Sequence, residues 1–482
     1  MIGLKIQKDI QKKKKTSLLF FLLPFIFLNF HSGFSQPSFT ATRIEYKGLK
    51  RTKKSIVQRE LTFKSGLEIL IEDTALLFKR SALNMFNTKL FNYCSYSIDS
   101  LRFDSATSHS YGIVVFHLNE RWYTFPIPIF ELADRNFNEW WYDRGADLRR
   151  VNVGLRFLQN NVRGRNEDLT VGFQGGFTKR MEMSYLFPYL DKAQTWGLKF
   201  SGSFSNNKDV AFRSVKNRLV FKRDEDSFGR ERTSFGIQLS KRRSIYSYHF
   251  IEVNYGFNRI SDSIFDLNQA YFNGSKFQRS SELKYVFTKD KRNLRNFATK
   301  GYLLSFSATR IGFFKTDNFR LWALRTSASK YFTLADGILF STKIDGEIST
   351  PDVQPYYGNR VLGFENRFAR GYERYIMEGP VNFFTRNTFR VKAFSRNFSL
   401  KWMPLKQFQF MPMDVYVTAF GDAGYVKNSN VLPENTRLVN TLLVGYGLGL
   451  NFVTFYDIVF RTEFSLNRQG DFGLYFSFLS DI

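Results

Sequence analysis

Few residues of this 482-residue chain have the type and spacing that chemistry needs. The three histidines beyond residue 36, His109, His117 and His249, show neither metal-ligand spacing nor a serine or aspartate partner, so hydrolase and metal chemistry find no site. Cys94 stands alone, which excludes an intrachain disulfide and a thiolate zinc cluster. Gly445-x-Gly447-x-Gly449 lacks the helix start of a dinucleotide site and is expected to thin one face of a strand instead. Arg242-Arg243 and the stretch from Lys289 to Arg295 read as solvated turns. The expectation is a chain that is not an enzyme and needs no metal, cofactor or nucleotide. Charged side chains on the inner face of an alternating strand are the other chemistry to consider. With Val415, Val417 and Ala419 on one face, Thr418, Phe420 and Asp422 fall on the other. In a partly dehydrated channel such a carboxylate is neutralised by a cation, and ion pairing is the chemistry to look for.

The elements that must position it are strands. Phe (56) and Tyr (24) far outnumber Trp (6) and Met (8), a bias that fits strand-rich chains and argues against helical repeats. Mean hydropathy is −0.30 and no run of 18 apolar residues occurs, which excludes a polytopic helical membrane protein. A membrane β-barrel is not excluded, because its strands alternate and average out. After Arg121 helical periodicity gives way to alternation. Leu442, Val444, Tyr446, Leu448, Leu450 and Phe452 share a face against the glycines and Asn451, and Ile458, Phe460, Phe464 and Leu466 oppose Arg461, Glu463 and Ser465. The segments run about ten residues, longer than a soluble sandwich wants and enough to cross a bilayer at a tilt. Sixteen of them fit between 123–132 and 471–479. Arg213 to Phe221 reads either as a further strand or as the stem of a long loop. An even count puts the long segments 206–228, 260–279, 350–380 and 426–439 at one end and short turns such as Tyr189-Leu190-Asp191-Lys192 at the other. The fold class is mainly β, a transmembrane antiparallel barrel of about 16 strands preceded by one small α+β domain.

The chain opens with six lysines among its first fifteen residues, followed by the apolar segment Ser17 to Phe30 and small residues Gly33 and Ser35 before Gln36. That is an export signal over 1–36, too short for a membrane span. Export removes nucleic acid as a partner despite a net charge of +27, part of which lies in that head. Residues 37–121 read as β-α-α-β-β. A strand around Ile44 and Tyr46 turns at Gly48 into a helix over Lys53 to Leu61. A second helix buries Leu76, Leu77, Ala82 or Leu83, Met85, Phe86 and Leu90, and strands follow at 93–103 and 111–118. Residues 122–482 form the barrel.

The order, with Ile44-x-Tyr46-x-Gly48, Ile56, Glu60-Leu61 and Leu90-Phe91, resembles a POTRA domain of the BamA/TamA-like outer-membrane transporter superfamily. Phe368-Ala369-Arg370-Gly371-Tyr372, in the longest loop after Gly363, resembles that family's sixth-loop tip, with Ala369 in place of the usual β-branched residue. Phe420-Gly421-Asp422-Ala423-Gly424 resembles its Phe-x-Asp-x-Gly element, and Asp471-x-Gly473-x-x-Phe476-x-Phe478 is similar to the terminal insertion signal of outer-membrane barrels, here continued by Leu479-Ser480-Asp481-Ile482. The resemblance covers residues 40 to 482. It implies a single-POTRA member in the outer membrane of a Gram-negative cell, its POTRA domain in the periplasm, with Arg370 folded inward onto Asp422. The implied work is insertion or translocation of other polypeptides, by client capture at the POTRA domain and a lateral barrel seam. The implied partners are outer-membrane lipid, unfolded outer-membrane or secreted polypeptides, and assembly machinery.

The seam has its own signal. Pro126 and Pro128 flank Ile127 in the first strand, so one edge lacks two successive ladder donors. Such a strand is a natural edge, and Phe125, Ile127 and Ile129 are expected to face lipid, as is Phe476. The two prolines fit a stiff linker equally well. Two other functions stay open: a pore or transporter for a solute or lipid, and a surface-structural barrel whose outer loops bind partners.

Overall fold

The computed structural model describes residues 37–134, 137, 139–224, 228–295, 297–358, 360–363, 367–400, 402, 409–454 and 458–478. The expected export signal and the tail Leu479-Ser480-Asp481-Ile482 lie outside them. The chain begins with β1 (Ser38–Lys47), α1 (Lys54–Gln58), β2 (Glu68–Leu70), α2 (Ile71–Phe86), β3 (Phe91–Asp104) and β4 (His109–Glu120). These strands form a sheet in the order β2-β1-β4-β3, with β1 parallel to β4 and the other pairs antiparallel.

The core of this small domain joins Phe39, Ile56, Val57, Phe78, Ala82, Met85, Leu90, Phe91 and Phe116, with Ile44, Tyr46 and Leu61 packed at its margin. Two details differ from the periodicity reading. Phe78, Ala82 and Met85, spaced four and three apart, make the buried stripe of α2, and Leu76 lies on its exposed side. Leu90 lies beyond the helix end and reaches the core from the following turn. Gly48 takes φ +95°, and a Cβ there would stand 1.9 Å from the Leu118 carbonyl oxygen, so only glycine fits this turn.

The wall that follows consists of β5 (Thr124–Leu132), β6 (Val151–Val162), β7 (Glu167–Gly176), β8 (Thr178–Phe187) and β9 (Trp196–Asn207). Next come the loop hairpin β10 (Asp209–Val215) and β11 (Arg218–Arg223), then β12 (Arg230–Ser244), β13 (Ser247–Ile260), β14 (Phe277–Asp290), β15 (Gly301–Ile311), β16 (Leu321–Ala335) and β17 (Ile338–Thr350). After the short ladder of β18 (Arg360–Leu362) and β19 (Met377–Glu378), the wall resumes with β20 (Val381–Ser399), β21 (Phe410–Lys427), β22 (Leu443–Thr454), β23 (Val459–Asn467) and β24 (Phe472–Phe478). Sixteen strands join in chain order into one antiparallel sheet from β5 to β24, and β10–β11 stays outside it as the stem of a long loop.

Alternation decides which residues face out. Along β22 Tyr446, Leu448 and Leu450 are exposed while Gly445 and Asn451 are buried, and the same apolar exposure recurs at Leu304 and Phe306 on β15 and at Phe235 and Ile237 on β12. Such a continuous apolar exterior is stable against hydrocarbon, not water. Among the described residues no helix is long and apolar enough to cross a membrane.

The small domain docks on the end of the wall that carries the short turns. Lys53 N–H donates to the Gly164 carbonyl (2.9 Å), Asn161 Nδ2 to Thr52 Oγ1 (2.9 Å), and Asn87 Nδ2 to the Asn293 carbonyl (3.1 Å). Arg242 is not a solvated turn residue. Its guanidinium grips the buried Glu60 carboxylate of the small domain in two bonds of 2.5 and 2.7 Å. Arg292 is likewise paired, with Asp290 at 2.9 Å.

Candidate functional site

At the opposite end the long loop between β17 and β20 dips into the barrel. Gly363 and Gly371 both take positive φ, +94° and +92°, and Arg370, just before the second, points at the wall. Its Nε and Nη2 donate to the two oxygens of Asp422 at 2.8 and 2.7 Å, and its backbone N–H adds a third bond to the same carboxylate at 3.0 Å. The Asp422 side chain is 0% exposed and that of Arg370 7%. Nη1 reaches Glu463 on β23 (3.1 Å), Nη2 also reaches Thr388 Oγ1 (2.9 Å), and the guanidinium lies 3.9 Å from the centroid of the Phe420 ring. A fork held by two carboxylates and an aromatic face has its orientation fixed, which a lysine could not reproduce.

The strands shape this seat. Asp422 stands opposite Arg386 in the β20–β21 register, on the face that also carries Thr418 and Phe420. The glycine run of β22 makes room: a Cβ at Gly445 would lie 1.7 Å from the Arg370 carbonyl oxygen, and one at Gly447 would lie 2.6 Å from the Phe420 ring. Gly424 sits against Phe384, where a Cβ would make only ordinary contact at 3.5 Å. Tyr372 is fully buried; its hydroxyl donates to Gln469 Oε1 (2.6 Å) and accepts from the Val444 N–H (3.2 Å). Asn467 Nδ2 donates to the Gly371 carbonyl at 2.8 Å. Ala369, where the motif departs from a β-branched residue, is buried in an apolar cluster with Tyr372, Tyr375, Phe384 and Leu443.

The terminal strand joins the same assembly. Asp471 accepts from the Tyr375 hydroxyl at 2.7 Å, which ties the start of β24 to the loop. A Cβ on Gly473 would fall 2.6 Å from the Tyr475 side chain, so the glycine leaves space for that buried ring. Phe476 faces outward, stacked on Phe460 at 6.3 Å, and Phe478 pairs through its backbone with Phe460.

The first strand departs from expectation. Ile127 stands opposite Arg156 and Ile129 opposite Gly154, whereas Pro126, Pro128 and Phe130 stand opposite Phe157, Leu155 and Val153. Residues directly opposite across an antiparallel pair share a face. Phe157, Leu155 and Val153 are exposed on the apolar exterior, while Arg156 bonds Glu182 at 2.9 Å. The prolines and Phe130 therefore face lipid, and Phe125, Ile127 and Ile129 face inward. β5 pairs only with β6 and β24 only with β23, so no ladder joins the two among the described residues.

Several residues of this site carried no motif. Glu463 was legible only as the inward member of its alternation. Asp143, in the segment after β5, bonds Arg218 of the hairpin (3.0 Å) and also pairs with Arg374 of the long loop, contacts that span 75 and 231 residues and leave no local trace. Among the described residues no cluster of His, Cys, Asp and Glu could hold a metal.

The Omp85 superfamily domain matches residues 161–455. No curated protein matches the chain. Among solved structures, BamA from Haemophilus ducreyi lacking POTRA domains 1–3 superposes with a TM-score of 0.50 at 13% identity, covering 91% of this chain and 84% of that one. CdiB from Escherichia coli superposes with a TM-score of 0.51 at 12% identity, covering 94% and 92%. The sixteen-stranded wall, the loop seated in it and a domain match over more than half of the chain together make this protein a member of the Omp85 superfamily.

Proposed function

We propose that this protein inserts or translocates other polypeptides at the Gram-negative outer membrane, where Omp85 barrels reside and do such work. In this reading residues 1–36 are removed on export. The small domain, residues 37–121, stands in the periplasm and receives an extended client, and the barrel, residues 122–482, passes it on at the seam between β5 and β24. The observation that carries the reading is that the first and last strands of the wall end in unpaired edges among the described residues. A client strand could complete its hydrogen bonds there before reaching lipid, and its own folding would supply the driving force. The small domain has a matching feature: β3 pairs only with β4, leaving one edge free beside exposed Tyr93, Leu101 and Phe103. A cavity of about 520 Å³ lies between β3 and α2, lined by Ala82, Leu83, Phe86 and Tyr96. For a solute pore, by contrast, the lumen offers a docked loop where a path is needed.

The test is photocrosslinking in living cells from Leu101 on β3 and from Pro128 on β5. Adducts with unfolded barrel or secreted chains at both positions are expected, whereas adducts with neither would overturn the reading.

A further inference from the structure

On the outer side of the docked small domain, α2 and the barrel rim enclose a cleft of about 470 Å³. Lys79 and Arg80 of α2 form one wall, and Lys291 and Lys300, in the turn between β14 and β15, form the other beside Tyr246 and Tyr302. No carboxylate lines it, and none of these four cations is ion paired among the described residues. Arg292 alone has its charge answered, by Asp290. Four exposed cations around one cleft concentrate positive charge there, which favours an anion.

Position says which anion. Tyr302 shares its face of β15 with Leu304 and Phe306, both exposed on the apolar exterior, and Leu304 is only about 7 Å further along the strand. Lys330 of the neighbouring strand lies 5.5 Å from the centroid of the Tyr302 ring, and Lys291 lies 5.9 Å from that of Tyr246. Tyrosines at strand ends with lysines beyond them mark the level of lipid headgroups. We infer that this cleft binds the phosphodiester headgroup of an anionic glycerophospholipid from the leaflet facing the small domain, with its acyl chains along Leu304 and Phe306. Such a lipid would bridge α2 to the barrel rim, beside the bond that Asn87 makes to the Asn293 carbonyl. This binding does not depend on any client.

The test is native mass spectrometry of the full-length protein in detergent, titrated with phosphatidylglycerol or with phosphatidylethanolamine of the same acyl chains. The wild type is expected to retain phosphatidylglycerol preferentially. Each cation replaced among Lys79→Gln, Arg80→Gln, Lys291→Gln and Lys300→Gln should weaken that preference about fivefold. A Lys50→Gln/Lys64→Gln control, at exposed positions that do not line the cleft, should keep it. Heat-modifiable electrophoretic mobility verifies that each barrel is folded, and Lys300→Gln alone serves if a variant combining all four replacements is not. Equal retention of the two lipids, an unchanged preference in the variants, or full displacement by millimolar inorganic phosphate would overturn the assignment, the last by showing a site for free phosphate.

Discussion

Arg370→Ala removes a guanidinium that makes five side-chain contacts: two to Asp422, one each to Glu463 and Thr388, and one to the Asn387 carbonyl. It leaves the Asp422 carboxylate, 0% exposed, with the backbone N–H groups of Asn387 (3.2 Å) and residue 370 (3.0 Å) and with Arg386, which stands opposite it, as the remaining nearby cation. Removing one member of a buried pair costs up to about 3–5 kcal/mol, because the survivor keeps its desolvation and loses its bonded partner. If that whole cost falls on the docked state, the ratio of docked to undocked loop drops by roughly two to four orders of magnitude. Asp422→Ala should cost less, since Glu463 and the Phe420 ring still face the guanidinium. The double variant loses the shared interaction only once, so it should be no worse than Arg370→Ala, with a coupling energy of about 1–3 kcal/mol. Planar-bilayer conductance and protease cleavage within residues 367–378 read the same equilibrium in different ways. Strictly additive effects, or a loop that stays fully protected in Arg370→Ala, would refute the claim that this pair holds the loop.

Three other outcomes are expected. Gly445→Ala changes no charge but puts a methyl 1.7 Å from the Arg370 carbonyl oxygen, so overpacking of about 1–3 kcal/mol should raise conductance; unchanged conductance would mean the loop backbone has another seat. Arg242→Ala leaves Glu60 buried without its partner, and at about 3–5 kcal/mol the distance distribution between spin labels on the small domain and the rim should broaden, while no change would show the other contacts suffice. Cysteines at Pro128 and at Leu474 or Phe476, all outward-facing, should crosslink across the seam, and failure in every register would separate β5 from β24. Cys94 adds little background there, because burial pushes its thiol up to about 12 and keeps it protonated at neutral pH.

How legible each feature was depends on how local its cause is. β22 reads cleanly because lipid requires Tyr446, Leu448 and Leu450 on one face while the loop backbone at Gly445 and the neighbouring strands at Gly447 and Gly449 leave no room for a Cβ opposite them. β5 does not, because both of its faces are apolar: Phe125, Ile127 and Ile129 on one, Pro126, Pro128 and Phe130 on the other. Periodicity cannot choose between two apolar faces; the register against Arg156 does. Arg370 and Asp422 were both legible through their motifs, and alternation placed Asp422 on the inner face. The Glu60–Arg242 clamp joins residues 182 apart, and nothing near Arg242 distinguishes it from the neighbouring Arg243. In α2 the stripe through Ala82 and Met85 was legible, and extending it back at steps of three and four reaches Phe78, which leaves Leu76 on the exposed side.

The segment leaving β5 connects the seam to the loop, and the strengths of its contacts set the order in which they can give way. Phe137 packs edge-on against Phe476 of β24 with centroids 6.1 Å apart, and its ring also meets those of Trp140 and Trp141. A few residues on, Asp143 holds Arg218 and Arg374, and Arg374 lies four residues past Arg370. If β24 swings away from β5, this segment cannot stay with both the last strand and the loop. The aromatic contact contributes about 0.5–1.5 kcal/mol beyond its area, and Phe137 and Phe476 are both partly exposed already. The Asp143 pairs are themselves partly solvated and worth little more singly, but Arg374 belongs to a loop anchored by Arg370, Tyr372 and Tyr375, so separating Asp143 from it leaves that anchor intact. The Phe137–Phe476 contact is therefore the weak link. A seam that opens parts the aromatic rings first, and the loop keeps the lumen filled until far larger forces break its buried ion pair.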